Sequence, residues 1–165
     1  MKKLIVLLFA ITVPLFAADP AQRIERDVVV HGSRADVWTA WTTTSGAKTF
    51  FAPDANIELV PGGAYEIFFN PDAAPGSRGG EGNRVVTFEP ERLIVFTWNA
   101  PTKFGPLRNE RTYVMVRFDD AADGATRVRL THFGWRAGRD WDEVYGYFDK
   151  AWDHVLGQLM KRFMR

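Results

Sequence analysis

The sequence predicts an α+β fold in which an antiparallel sheet lays one face against a long C-terminal helix. Three observations predict it. Trp141, Val144, Tyr145, Phe148, Trp152, Val155, Leu156, Leu159 and Phe163 recur at steps of three, four or one residue. That spacing is one stripe of a helix with about 3.6 residues per turn. Upstream, short runs alternate apolar and polar residues between Gly, Pro and Asp turn signals, which reads as strands joined in sequential hairpins. Finally, 165 residues that are 46% hydrophobic and 25% charged describe one globular domain.

The N-terminus is set apart from that domain. Lys2 and Lys3 precede an apolar run from Leu4 to Phe16, and Ala17, Ala18 and Asp19 follow. A positive start, a short apolar middle and small residues at the cut form a secretory signal peptide. We therefore expect residues 1–17 to be a signal peptide and residues 18–165 to be one exported domain, periplasmic or secreted. The run is too short, and too broken by Pro14, to span a membrane, so no span is expected after cleavage. Losing Lys2 and Lys3 turns the formal charge from +1 to −1. With no basic excess, nucleic acid is not an expected partner. The chain has no Cys, which excludes disulfides and thiol catalysis.

The elements follow in order. Arg23 to His31 is a strand with Ile24, Val28 and Val30 on one face. Gly32 breaks it, and Ser33 caps a helix whose apolar side is Val37, Trp38, Ala40 and Trp41. Ser45 to Phe51 is a second short helix, ended by Pro53. Strands follow at Asn56–Val60, Ala64–Phe69, Arg84–Phe88, Leu93–Trp98, Arg108–Phe118 and Thr126–Trp135. Asn70 to Asn83, rich in Pro and Gly, is a long loop, and Ala100 to Pro106 is another. The final helix begins near Gly138, with Asp140 as N-cap and Glu143 completing a capping box. Lys161, Arg162 and Arg165 stand where the helix dipole favours cations.

This ordered set resembles the START-like superfamily, also called helix-grip or SRPBCC. Within it the chain resembles the branch named after the activator of Hsp90 ATPase. The matching pieces run through the mature chain: Val37-Trp38-Ala40-Trp41, Phe51-Ala52-Pro53-Asp54-Ala55, Pro61-Gly62-Gly63-Ala64-Tyr65, Phe88-Glu89-Pro90, Leu93-Ile94-Val95-Phe96-Thr97-Trp98, Thr126-Arg127-Val128, Leu130-Thr131-His132 and Gly134-Trp135. The long helix, with Tyr145, Phe148, Trp152 and Leu156, closes the set. The resemblance implies a curved sheet wrapped around the C-terminal helix, with an elongated apolar cavity between them. Relatives bind lipids, hormones or polyketides, and a few are enzymes, so the fold alone does not decide. An exported address argues against a cytosolic chaperone as partner.

Strand alternation groups Tyr65, Ile67 and Phe69, then Phe96 and Trp98, then Val114 with Val116. The resemblance implies that these faces meet Tyr145, Phe148 and Trp152 across the cavity, with Phe51 beside them. Each is first of all a core residue. As a group they are candidate ligand contacts, because Trp98, Trp152 and Tyr145 bring polar tips into an apolar wall. His132 shares a face with Val128 and Leu130 and is expected to point inward. It is either a buried, neutral, satisfied histidine or a hydrogen-bonding and acid/base group. His31 and His154 are expected on the surface, and no spacing of His with carboxylates makes a metal motif. No nucleophile elbow or triad is present, and no cofactor is expected. The leading expectation is a non-catalytic protein binding a small apolar or amphipathic molecule, of open oligomeric state. The alternatives are an enzyme on a cyclic or polyketide-like compound using His132, and a protein-interaction or chaperone-assisting module with a filled interior.

Overall fold

A computed structural model describes residues 22–164. The expected signal peptide, residues 1–17, lies outside the described residues. Strand β1, Ile24–Val30, opens the fold. Helix α1, Arg34–Thr42, starts where the Ser33 hydroxyl accepts from the backbone N–H of Asp36 and satisfies an otherwise orphan donor. It buries Val37, Trp38, Ala40 and Trp41. Helix α2 is shorter than expected, Thr44–Ala47, and unwinds into turns that carry the chain to Phe51.

The remaining strands are β2 Asp54–Ile57, β3 Tyr65–Phe68, β4 Gly79–Gly80, β5 Val85–Glu89, β6 Leu93–Trp98, β7 Thr112–Asp120 and β8 Thr126–Phe133. All pairings are antiparallel, in a five-stranded sheet ordered β1-β8-β7-β6-β5 and a three-stranded sheet ordered β2-β3-β4. Ala64 bridges Arg84, and Tyr65 N donates to Asn83 O at 2.9 Å. These links carry the curved surface round from β5 to β3. Register sets one row across the large sheet: Val85, Phe96, Val114, His132 and Ile24 stand opposite one another in turn. All five are buried, because successive pairs on one face of an antiparallel sheet share the same side.

Other boundaries also differ from expectation. Asn70 to Asn83 is not one free loop, because Gly79 and Gly80 pair with Phe68 and Ile67. Strand β7 begins at Thr112 rather than Arg108, since Thr102–Asn109 coils into 3-10 turns. Strand β2 starts two residues earlier than expected and stops before Glu58. The long helix α3, Arg139–Arg162, has Gly138 as its N-cap, not Asp140, and no side chain caps it. Gly138 sits at φ 125°, a conformation that L residues with a Cβ rarely adopt. The chain turns there, ahead of the position where Asp140 would have capped.

Helix α3 buries Trp141, Val144, Phe148, Trp152, Val155, Leu156 and Leu159 against the sheet. Tyr145 Oη donates to Arg23 O at 3.1 Å. Arg26 Nη2 meets Asp149 Oδ1 at 2.9 Å, and its Nε meets Asp153. Asp149 and Asp153 therefore clamp α3 to β1. At the far end a Cβ added to Gly32 would stand 2.4 Å from Phe163 Cδ1. The helix thus follows β1 along its whole length.

Candidate functional site

The opposite flank of α3 is not clamped, and a cleft of about 970 Å³ opens there. That volume is at the upper end for small-molecule sites. One wall is the outer side of α3, with Gly146, Tyr147, Lys150 and His154. The other is built by the β3–β4 connection, including Phe69 and Arg78, and by the 3-10 segment with Lys103 and Phe104. The floor is aromatic. Trp98 lies 5.8 Å from Trp152, centroid to centroid, and Phe51 lies 5.7 Å from Trp98 and 6.0 Å from Trp152. Phe148 extends the floor. Such rings present apolar area with specific packing geometry.

The sequence candidates divide into three groups. Phe51, Phe69, Trp98, Phe148 and Trp152 line the cleft. Tyr65, Ile67, Phe96, Val114 and His132 are each fully buried and stand behind its floor. Tyr65 stacks on Phe96 with ring centroids 3.9 Å apart, and its hydroxyl donates to Trp41 O at 2.9 Å. Burial alone pushes that hydroxyl's pKa up. Tyr145 belongs to the clamped flank: its ring packs on Trp135 at 5.2 Å and its hydroxyl reaches Arg23 O. It does not face Phe96 or Trp98 across the cleft. Phe69, expected with Tyr65 and Ile67 on an inward face, is 49% exposed. The strand ends at Phe68, so alternation no longer governs the next residue.

His132 points inward as expected, and both its nitrogens are occupied. Nδ1 accepts from Trp152 Nε1 at 3.0 Å. An indole N–H can only donate, so Nε2 carries the proton and donates to Thr112 Oγ1 at 2.7 Å. Thr112 in turn donates to Trp98 O at 3.2 Å. Phe148 and Trp135 cover the imidazole at 5.0 and 4.3 Å. Burial holds its pKa well below the ordinary value of 6.5. This is the buried, neutral, satisfied histidine, and it fixes the tilt of Trp152 in the cleft floor.

A model of the Activator of Hsp90 ATPase homolog 1-like protein family matches residues 31–164. The chain belongs to that family. No curated protein sequence matches it. Among solved structures, MLL2253 from Mesorhizobium loti superposes with a TM-score of 0.69 at 18% identity, covering 86% of this chain and 96% of that one. The Aha1 dimer from Colwellia psychrerythraea gives 0.65 at 19% identity, covering 86% and 96%. DynU16, of the dynemicin biosynthetic locus, gives 0.62 at 19% identity, covering 86% of this chain and 47% of that one. At these identities the likeness is one of fold, and the fold is the α+β helix-grip arrangement.

In this member of the Activator of Hsp90 ATPase homolog 1-like family, a latch holds the second cleft wall together. Glu81 accepts from the backbone N–H groups of Gly76 and Arg78 at 2.9 and 2.8 Å and from Arg78 Nε at 2.8 Å. Burial pushes its carboxyl up, but these hydrogen bonds and the Arg78 charge outweigh that and hold it below 4.5. Arg108 donates to Gly76 O, Ala100 O and Gly79 O at 2.9, 2.9 and 2.7 Å. It thereby ties the 3-10 segment to the β3–β4 connection. Sequence reasoning did not place Phe104, Tyr147, Lys103 or Lys150 in the site. Tyr147 carried a signal: it is an aromatic off the helix stripe, next to Gly146.

Proposed function

We propose that this protein binds a small apolar or amphipathic molecule in the cleft beside α3, as an exported carrier or sequestering protein that does not transform it. The observation that carries this reading is the cleft itself. About 970 Å³ of space stands over a floor of Phe51, Trp98, Phe148 and Trp152, where apolar burial supplies the driving force. The non-catalytic part is supported by His132. As the candidate acid/base, it has both nitrogens engaged with Trp152 and Thr112 and no place on the cleft wall. Export is supported by Lys2-Lys3 and the apolar run to Phe16. Nile red, a neutral apolar dye, tests the binding. It should bind the folded protein at one site with micromolar affinity and change tryptophan emission. A dye that shows no saturable binding defeats the reading. Mass spectrometry of organic extracts from natively exported protein should find a co-purifying small molecule, unchanged on incubation. N-terminal sequencing should find Ala18 or Asp19 first, and a retained Met1 defeats the exported address.

A further inference from the structure

We propose that the cleft takes an amphiphile with a carboxylate head, held by Lys103 and Lys150. This rests on the binding reading above and names the class of ligand. The cleft is lined by Arg78, Lys103, Arg108 and Lys150 against one acid, Glu143. Three of these five charges are already engaged. Arg108 bonds three backbone carbonyls, Arg78 Nε is on Glu81, and Glu143 lies 3.6 Å from Arg139. Lys103 and Lys150 make no ion pair among the described residues.

The two lysines flank one aromatic wall. Lys103 Nζ stands 4.3 Å from the Tyr147 ring centroid and 5.0 Å from that of Phe104. Lys150 follows Tyr147 by three residues, on the same face of α3. An ammonium against two rings is held in place by their negative faces. Two like charges beside an apolar floor, neither of them ion-paired and with the one lining acid, Glu143, beside Arg139, favour a ligand that brings a negative charge. The Arg108 guanidinium is spent on three backbone carbonyls, and Arg78 gives its Nε to Glu81 while its guanidinium carbon lies 4.6 Å from the Phe68 ring centroid. What is left is a pair of compact point charges, which suits a monoanionic carboxylate whose tail lies over Trp98 and Trp152.

The test compares decanoate with decanol as displacers of bound Nile red, both below micellar concentrations, at neutral pH and low salt. Decanoate should bind at least about tenfold tighter than decanol, as charge-assisted hydrogen bonds allow. The preference should shrink as salt is raised. In the double variant Lys103→Met, Lys150→Met the ratio of the two affinities should fall to about two or less, since methionine keeps the apolar stem and removes the charge. Circular dichroism confirms that the variant is folded. Equal affinities in the wild type overturn the carboxylate proposal and leave the binding reading standing. A ratio unmoved in the folded double variant, or by salt, overturns the assignment to these lysines. If Nile red itself fails to bind, the binding reading has failed first.

Discussion

The two flanks of α3 are built to different rules. Along β1 the helix is held at three levels, by Tyr145 on Arg23 O, by Arg26 on Asp149 and Asp153, and by Phe163 over Gly32. Along the other flank, Gly146 faces open space, with nothing within 4 Å of where its Cβ would be, and Tyr147 is 37% exposed. A helix packed evenly on both sides would leave no cleft. Fixing one flank rigidly lets the other stay open, because the helix position no longer depends on contacts there. Trp152 sits on the seam. It is 2% exposed, bonds His132 behind it, and floors the cleft in front.

The largest effect should come from cutting that seam. Trp152→Ala removes a buried aromatic and leaves His132 Nδ1 without its donor. The expected loss is about 3–5 kcal/mol, read from the shift in denaturation midpoint. Dye binding should fall with it, since the floor goes too. A midpoint unchanged at unchanged slope would show that Trp152 joins neither flank.

His132→Phe separates the packed back of the floor from its open front. The ring is kept, but Trp152 Nε1 loses its acceptor, at about 1–3 kcal/mol. The variant also changes the response to pH. Burial lowers the folded pKa of His132 below 6.5, so below 6.5 the unfolded chain takes up a proton that the folded one does not. Wild-type stability should therefore fall as pH drops from 6.5, by at most about 1.4 kcal/mol per unit from this group. His132→Phe should lack that component between pH 6.5 and 5. Parallel stability curves for the two proteins would contradict the buried neutral assignment.

This contrast also marks what could be read from the residues alone. Alternation told correctly that Val114 and Val116, and Val128, Leu130 and His132, point inward, and the stripe of α3 was plain. The α+β helix-grip order followed from those. The sequence did not say whether an inward face meets packed side chains or space. Phe96 and Trp98 are two apart on one strand and share a face. One is sealed behind Tyr65 and the other floors the cleft. The difference arises where α3 leans toward β1, which depends on Arg26, Asp149 and Asp153 acting 123 and 127 residues apart in sequence. No local pattern carries that information. Likewise Glu81 shapes a wall through backbone N–H groups and Arg108 through backbone carbonyls, and neither leaves a trace in residue periodicity.

Loosening the clamped flank should cost less than breaking the seam. Arg26→Met removes the bonds to Asp149 and Asp153 but keeps the stem over β1. Both carboxylates are substantially exposed, so the loss should be near 1 kcal/mol. The sharper readout is hydrogen exchange. Amides in the first half of α3 should exchange faster, while those of β7 and β8 should not change. If exchange is unaltered, the clamp does not hold the helix.

The smallest effect on stability should come from the open flank, and it discriminates best. Gly146 lies mid-turn in α3 on the cleft wall. Leucine there is a better helix former than glycine by roughly 0.5–1 kcal/mol. A side chain on this flank meets no neighbour at its Cβ, so Gly146→Leu should leave the midpoint unchanged or raise it by up to about that amount. It should also fill the space above Phe148 and Tyr147. Dye affinity should fall by about tenfold or more, corresponding to roughly 1.4 kcal/mol of lost contact. Stability and binding then move in opposite directions, which no general loosening of the fold produces. Were Gly146→Leu to destabilise the protein while leaving dye affinity intact, the open side of α3 would be a packed surface, and the dye would be bound elsewhere.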